Sequence, residues 1–207
     1  MKYSLDARFL RFTRGGGSAN LVLDLVPGGL PLLMMILGVL AFLVAAILGA
    51  AAIRPDTFRV QRSTVVNAPP DKVFRLLDDF HAWGSWSPWE KLDPGLRRTH
   101  SGAQSGKGAV YEWEGNPKVG SGRMEILESS PPTRLLIKLD FLKPFEAHNQ
   151  AEFVLLAEGA STRVTWAMTG PQAYPMKLMG LFMNMDRMVG GDFEQGLAAL
   201  KVEAEKP

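Results

Sequence analysis

YPMKLMGLFMNMDRMVGGDFEQGLAALKVEAE, residues 174–205, is the stretch on which the fold of this chain turns. Apolar side chains recur at Leu178, Phe182, Met185, Val189, Phe193, Leu197 and Leu200, in steps of three or four. That spacing sets them on one face of an α-helix, and such a face must be buried against something. The segments before it alternate like β-strands, so the expected partner is a sheet. Five methionines, Met176, Met179, Met183, Met185 and Met188, crowd its first half. Thioether side chains are flexible and polarisable, and suit an irregular core or the wall of an apolar pocket. Gly190 and Gly191 interrupt the run, each costing about 1 kcal/mol relative to alanine inside a helix. Asp192 followed by Gln195 has the form of a capping box. The sequence therefore predicts a kink or break near Gly190, with a second helical segment starting near Asp192.

Immediately upstream the periodicity is two. In AVYEWE (109–114) Tyr111 and Trp113 share a face opposite Glu112 and Glu114. In 119–128, Gly122, Met124 and Ile126 oppose Arg123 and Glu125. In 133–142, Leu135, Ile137, Leu139 and Phe141 oppose Arg134, Lys138 and Asp140. In 145–157, Ala147, Ala151, Phe153 and Leu155 oppose Glu146, His148, Gln150 and Glu152. In 161–170, Val164, Trp166 and Met168 oppose Arg163 and Thr165. Alternation with one polar face marks an antiparallel sheet solvated on one side. The links, such as Gly115-Asn116-Pro117 and Ser130-Pro131-Pro132, are turn-like.

Further upstream, FRVQRSTVVN (58–67) is rich in β-branched residues and reads as a first strand. Pro70 then suits the first turn of a helix whose apolar face is Val73, Phe74 and Leu77. Trp83, Trp86 and Trp89 follow closely. Indoles give large apolar contact with one donor each, so this cluster suits a pocket mouth, a membrane or protein contact, or packing of the helices onto the sheet. The order is strand, helix, a meander of about five strands, then a long helix: an α+β layout.

Ahead of this domain, 29 consecutive residues from Leu25 to Ile53 carry no charge. Residues 30–53, LPLLMMILGVLAFLVAAILGAAAI, exceed the roughly 20 apolar residues needed to cross a bilayer and lack the polar stripe of a soluble helix. A cleaved signal peptide is the rival, because Ala50-Ala51-Ala52 supplies small residues at the right end. The apolar region is longer than a signal core of about 7–15 residues and the leader is long, which favours an uncleaved single-pass anchor. Residues 1–29, with Gly15-Gly16-Gly17-Ser18, read as a flexible leader, and 20–26 as a short element at the membrane surface. Lys2, Arg8, Arg11 and Arg14 before the span balance Arg54, Arg59, Arg62 and Lys72 after it, so the side holding the soluble domain is open. The expected organisation is leader 1–29, transmembrane helix 30–53 and folded domain 57–205.

Of 207 residues, 23 are basic and 21 acidic, a net charge of +2 that makes no electrostatic case for nucleic acid. The chain has no cysteine, so thiolate catalysis, disulfides and cysteine metal sites are excluded. His81, His100 and His148 are scattered, in no HxxxH or HExxH pattern, and read as surface or loop residues. There is no GxSxG elbow, and SGAQSGKGA (101–109) lacks the strand–helix context of a phosphate loop. No cofactor and no metal are expected.

Residues 58–201 resemble the SRPBCC or START-like superfamily, closest to its polyketide cyclase/dehydrase and lipid-transport-like members. The resemblance is carried by VNAPPDKVF (66–74), WGSWSPW (83–89), GAVYEW (108–113), TRVTW (162–166) and the C-terminal helix. It is similar in particular to a bacterial subset in which this domain follows one hydrophobic span, although the long leader is unusual. It implies a helix-grip fold, a curved antiparallel sheet wrapped around the long C-terminal helix, with a cavity between them for apolar small molecules. Activity is implied much less, because one fold hosts many functions.

Candidate lining residues are Trp83, Trp86, Trp89, Tyr111, Trp113, Met124, Phe141, Asn149, Phe153, Trp166, Met168, Phe182, Met183 and Met185; each taken alone reads better as core. Asn149 shares a face with Ala147 and Ala151 and is the best candidate for an inward polar group, which would need a partner. Asp186 has two readings, a cavity acid or base and a partner of Arg187 or a Lys-rich surface, of which pairing is favoured. No convergent set of titratable groups is legible and no catalytic residue is assigned. The expectation is a membrane-anchored protein binding a lipid, isoprenoid or aromatic metabolite. A cyclase or dehydratase, and a filled interaction module docking an unknown protein through the tryptophans, are the alternatives.

Overall fold

The computed structural model describes residues 29–182 and 185–207. The expected leader and the short element at 20–26 lie outside these residues, as do Met183 and the side chain of Met185. The chain divides into two units, Met1–Ile47 and Leu48–Pro207.

The described part of the first unit is helical, within α1 (Gly29–Ala52). Pro31–Ala52 contains an 18-residue window with a mean hydropathy of 2.9, none of it buried. By length and composition α1 can cross a membrane, a test a signal sequence also passes.

The second unit is built on a seven-stranded antiparallel sheet: β1 (Thr57–Val66), β2 (Arg97–Gly102), β3 (Ala109–Glu114), β4 (Ser121–Ser130), β5 (Arg134–Lys143), β6 (Ala147–Glu158) and β7 (Ser161–Pro171). The spatial order is β1-β7-β6-β5-β4-β3-β2. The meander thus has six strands rather than five. The additional one, β2, lies on the edge with every residue exposed, so it shows no alternation. A register shift between Ile126 and Glu128 on β4 breaks the ladder with β5 and bends the sheet there.

Helices α2 (Pro70–Asp78) and α3 (Trp83–Trp86) follow β1; Val73, Phe74, Leu77, Trp83 and Trp86 are buried. A short 3₁₀ turn, Pro88–Lys91, continues the tryptophan segment. After β7 come α4 (Tyr174–Met179) and α5 (Met185–Ala204). The predicted break at Gly190 is therefore misplaced: α5 runs unbroken through Gly190 and Gly191, and the helix ends earlier, at Met179. Phe193, Leu197 and Leu200 of α5 are buried against the sheet, whereas Phe182 is 75% exposed because the break shifts the helical phase. Asp192 accordingly lies within a helix, not at a cap.

Arg62 holds α5 to the edge strand. It pairs with Trp166 across β1 and β7, so both project from the concave face. Its guanidinium reaches Asp186 and Glu194 on α5. Asp186 therefore pairs with Arg62 on the flank of α5, correcting the expectation of Arg187 or a cavity acid. Lys201 of α5 also donates to Val65 O of β1 at 2.7 Å, and Lys177 of α4 is buried, with Nζ 2.5 Å from Asp56 Oδ1.

Candidate ligand-binding site

A cavity of about 190 Å3 lies between the concave face of the sheet, α5 and the tryptophan segment. The alternation of the strands supplies its floor: Tyr111 and Trp113 from β3, Met124 from β4, Leu139 and Phe141 from β5, Ala151 from β6, Trp166 and Met168 from β7. Helix α5 supplies Val189, Asp192 and Phe193, one helical stripe with a carboxylate on its edge. Trp83, Ser87, Trp89, Glu90, Leu96 and Val119 complete the wall.

Aromatic contacts fix this wall. Trp166 lies flat on Phe193, with centroids 4.1 Å apart and planes 4° from parallel, and its neighbour across the strands, Phe153, stacks at 4.9 Å. Trp89 meets the edge of Trp166 at 5.6 Å, and Trp113 meets Phe141 at 5.8 Å. Such pairs contribute about 0.5–1.5 kcal/mol each beyond area burial, so the wall is pre-formed rather than fluid.

Of the residues singled out from sequence, Trp83, Trp89, Tyr111, Trp113, Met124, Phe141, Trp166 and Met168 line the cavity. Trp86 and Phe153 do not: both are fully buried behind it, and Trp86 donates its indole N–H to Leu76 O at 3.0 Å. Trp83 makes the same kind of bond to Leu77 O, so these two indoles serve the packing of α2 and α3. Phe182 is exposed and is not part of the wall. Asn149 is inward and 8% exposed, but it covers Gly170 rather than lining the cavity. A Cβ at Gly170 would fall 1.9 Å from Asn149 Oδ1, so the absence of a side chain there is what admits the amide.

The two carboxylates of the cavity, Glu90 and Asp192, are not among the lining residues read from the sequence. Glu90 accepts the Tyr111 hydroxyl proton and is paired with Arg98, whose Nε lies 2.6 Å from Glu90 Oε2. Arg98 in turn donates to Leu96 O at 2.9 Å. Burial first, and then donation to Glu90, hold Tyr111 neutral well above the usual phenol range. The second group is Asp192, which makes no side-chain hydrogen bond or ion pair among the described residues. Burial pushes its pKa upward. Glu90 had no periodic signal because it sits in a 3₁₀ turn, and Asp192 was disguised by its resemblance to a helix cap. The indole N–H of Trp166 is sealed from solvent and cavity without a partner, a cost of about 1–3 kcal/mol carried by the surrounding stacking.

Among the described residues there is no group of three or more His, Cys, Asp or Glu side chains placed to hold a metal. The three histidines are exposed, as expected. His148 bonds Asp140 on the outer face of the sheet, and His81 stacks on His100 at 4.1 Å.

Residues 57–205 match the family model described as polyketide cyclase / dehydrase and lipid transport. Among the curated proteins none matches. Among solved structures, Zhui aromatase/cyclase from Streptomyces sp. R1128 is similar, with a TM-score of 0.53 at 16% identity, covering 72% of this chain and 94% of that one. Ginseng major latex-like protein 151 from Panax ginseng has a TM-score of 0.54 at 12% identity, covering 73% and 100%. Protein CV1439 from Chromobacterium violaceum has a TM-score of 0.53 at 18% identity, covering 74% and 100%. At these identities the likeness concerns the fold alone.

Proposed function

The chain belongs to the polyketide cyclase / dehydrase and lipid-transport family, an SRPBCC/START-like fold, and from that membership we propose that it is a binding protein for a compact apolar or aromatic molecule, anchored in a membrane by α1. The observation that carries the reading is the cavity wall: aromatic, aliphatic and thioether side chains surround about 190 Å3, with Ser87, Glu90, Tyr111 and Asp192 as its polar groups. That composition matches ligand pockets, which are mostly apolar with a few placed polar groups. An apolar cavity of about 150 Å3 admits benzene. By that yardstick this one takes a molecule of one or two rings, and a full-length lipid would enter only by its end. Glu90 is engaged by Tyr111 and Arg98, so no nucleophile–base pair is poised in the wall. A cyclase or dehydratase reading rests on Asp192 alone, as a carboxyl acid without a protein partner.

The test uses full-length protein in neutral-lipid nanodiscs, with 2-naphthol as probe and tryptophan quenching as readout. Naphthol should bind saturably, and Ala151→Leu, which fills the floor, should weaken it at least tenfold while near-ultraviolet circular dichroism is retained. No saturable binding, or binding indifferent to Ala151→Leu, overturns the reading. For the anchor, the chain should remain with membranes after an alkaline carbonate wash; release by the wash would indicate a removed signal sequence.

A further inference from the structure

We infer that the ligand of this cavity is a small organic cation, an ammonium or other protonated nitrogen carried on a one- or two-ring body, with Asp192 as its counter-ion. The inference rests on the reading of the cavity as a ligand site and names what that site selects.

The charges of the wall have one sign. Glu90 and Asp192 line the cavity, and among the described residues no Lys, Arg or His does. The two carboxylates are not equivalent. Glu90 is neutralised by Arg98 and receives the Tyr111 hydroxyl. Asp192 receives nothing among the described residues, although it is partly withdrawn from water. Arg62 of β1, the cation that lies against α5 at Gly190, is occupied elsewhere: it grips Asp186 and Glu194, in steps of four about Gly190. At 3.6 residues per turn Asp192 lies about 200° around the helix from Gly190, on the opposite flank. Arg62 therefore does not serve it.

The rest of the wall suits the same ligand. Trp89 and Trp113 present indole surface to the cavity, whereas the faces of Trp166 are taken by Phe193 and Phe153, and the negative faces of aromatic rings attract cations, most strongly when water is excluded. A neutral guest would leave a desolvated carboxylate unpaired, and an anionic guest would add repulsion; a cation relieves the first cost and meets the rings as well. The volume restricts the body to one or two rings, as argued above.

Three isosteric probes test this on full-length protein in neutral-lipid nanodiscs, with empty nanodiscs as reference: 2-naphthylmethylamine, 2-naphthylmethanol and 2-naphthoic acid. Calorimetry at pH 7 should show the amine binding at least tenfold tighter than the alcohol, and the acid weakest. Asp192→Asn should weaken the amine at least tenfold and leave the alcohol within about twofold, while Asp192→Glu should keep the amine preference. The inference is overturned if the alcohol matches the amine in the native chain, or if Asp192→Asn leaves the preference intact. If none of the three binds, the ligand-site reading itself falls; alcohol binding without amine preference sinks only the present inference. The native-chain comparison needs no variant, so a poorly folding mutant would not rescue it.

Discussion

Arg62 lies across the bare backbone of Gly190. Its Nη1 is 2.9 Å from Asp186 Oδ1 and its Nε 2.6 Å from Glu194 Oε1, and a Cβ on Gly190 would fall 2.0 Å from Nη2. The glycine that looks like a helix breaker is the opening through which a strand residue staples the helix. At Gly191 a Cβ would meet nothing within 4 Å.

The two adjacent glycines should therefore answer alanine with opposite signs. Gly191→Ala should stabilise by roughly 0.5–1 kcal/mol, the ordinary helix-propensity gain. Gly190→Ala has the same intrinsic gain but must displace Arg62 from both carboxylates, so its urea midpoint should fall below that of the native protein. Chemical denaturation of the two variants side by side checks this; a rise for Gly190→Ala would mean that the Arg62 staple contributes less than the helix-propensity gain.

The same pair shows where sequence reading stops. Alternation named the concave face correctly at Tyr111, Trp113, Leu135, Ile137, Phe153, Val164 and Trp166, because a sheet solvated on one side writes its burial into every second residue. Edge strand β2 has two exposed faces and writes nothing. The contact of Arg62 with Asp186 on α5 joins residues 124 apart in the chain, and no local pattern carries such a contact. Local grammar instead made Asp192 a cap and so hid a carboxylate of the cavity. Glu90 was hidden because a 3₁₀ turn has too few residues to show a period.

Phe182 and Phe193 look equivalent in the helical stripe, but only one is in the core. Phe193 is 1% exposed and stacked on Trp166, whereas Phe182 is 75% exposed. Phe193→Ala should cost about 3–5 kcal/mol, the usual result of emptying an aromatic core site. Phe182→Ala should stay within about 0.5 kcal/mol. Equal losses in thermal unfolding would place the two on one buried face and contradict the phase shift between α4 and α5.

The histidines should titrate apart. Donation to Asp140 at 2.8 Å raises the pKa of His148, whereas burial first, and then His81 opposite, lower that of His100. In Cε1–H NMR titration His148 should titrate above about 6.5 and His100 below it. The stability that His148 contributes is full below its unfolded pKa and is lost as pH rises through the folded one. Burial alone would raise Asp140, but the bonds from Lys138 and His148 outweigh it and hold it low. Its contribution is present above about 3.8 and lost as pH falls. Asp140→Asn should move His148 down and leave His100 in place; a His148 midpoint that does not move would remove the pair.

Tyr111 extends the same reasoning to alkaline pH. Burial comes first in raising its pKa, and the Glu90 carboxylate beside its hydroxyl comes second, since both penalise a phenolate. Tyr111 should therefore give a late phase, above the usual phenol range, in a tyrosinate absorbance titration. The folded state holds this proton more tightly than the unfolded chain, so the contribution of Tyr111 is complete below about pH 10 and declines as pH rises through the folded pKa. Tyr111→Phe should delete the late phase and leave the rest of the curve unchanged. Glu90→Gln should shift the late phase only part of the way back, because burial remains. A late phase that survives Tyr111→Phe would assign it to another tyrosine and leave the Glu90 bond without its expected consequence.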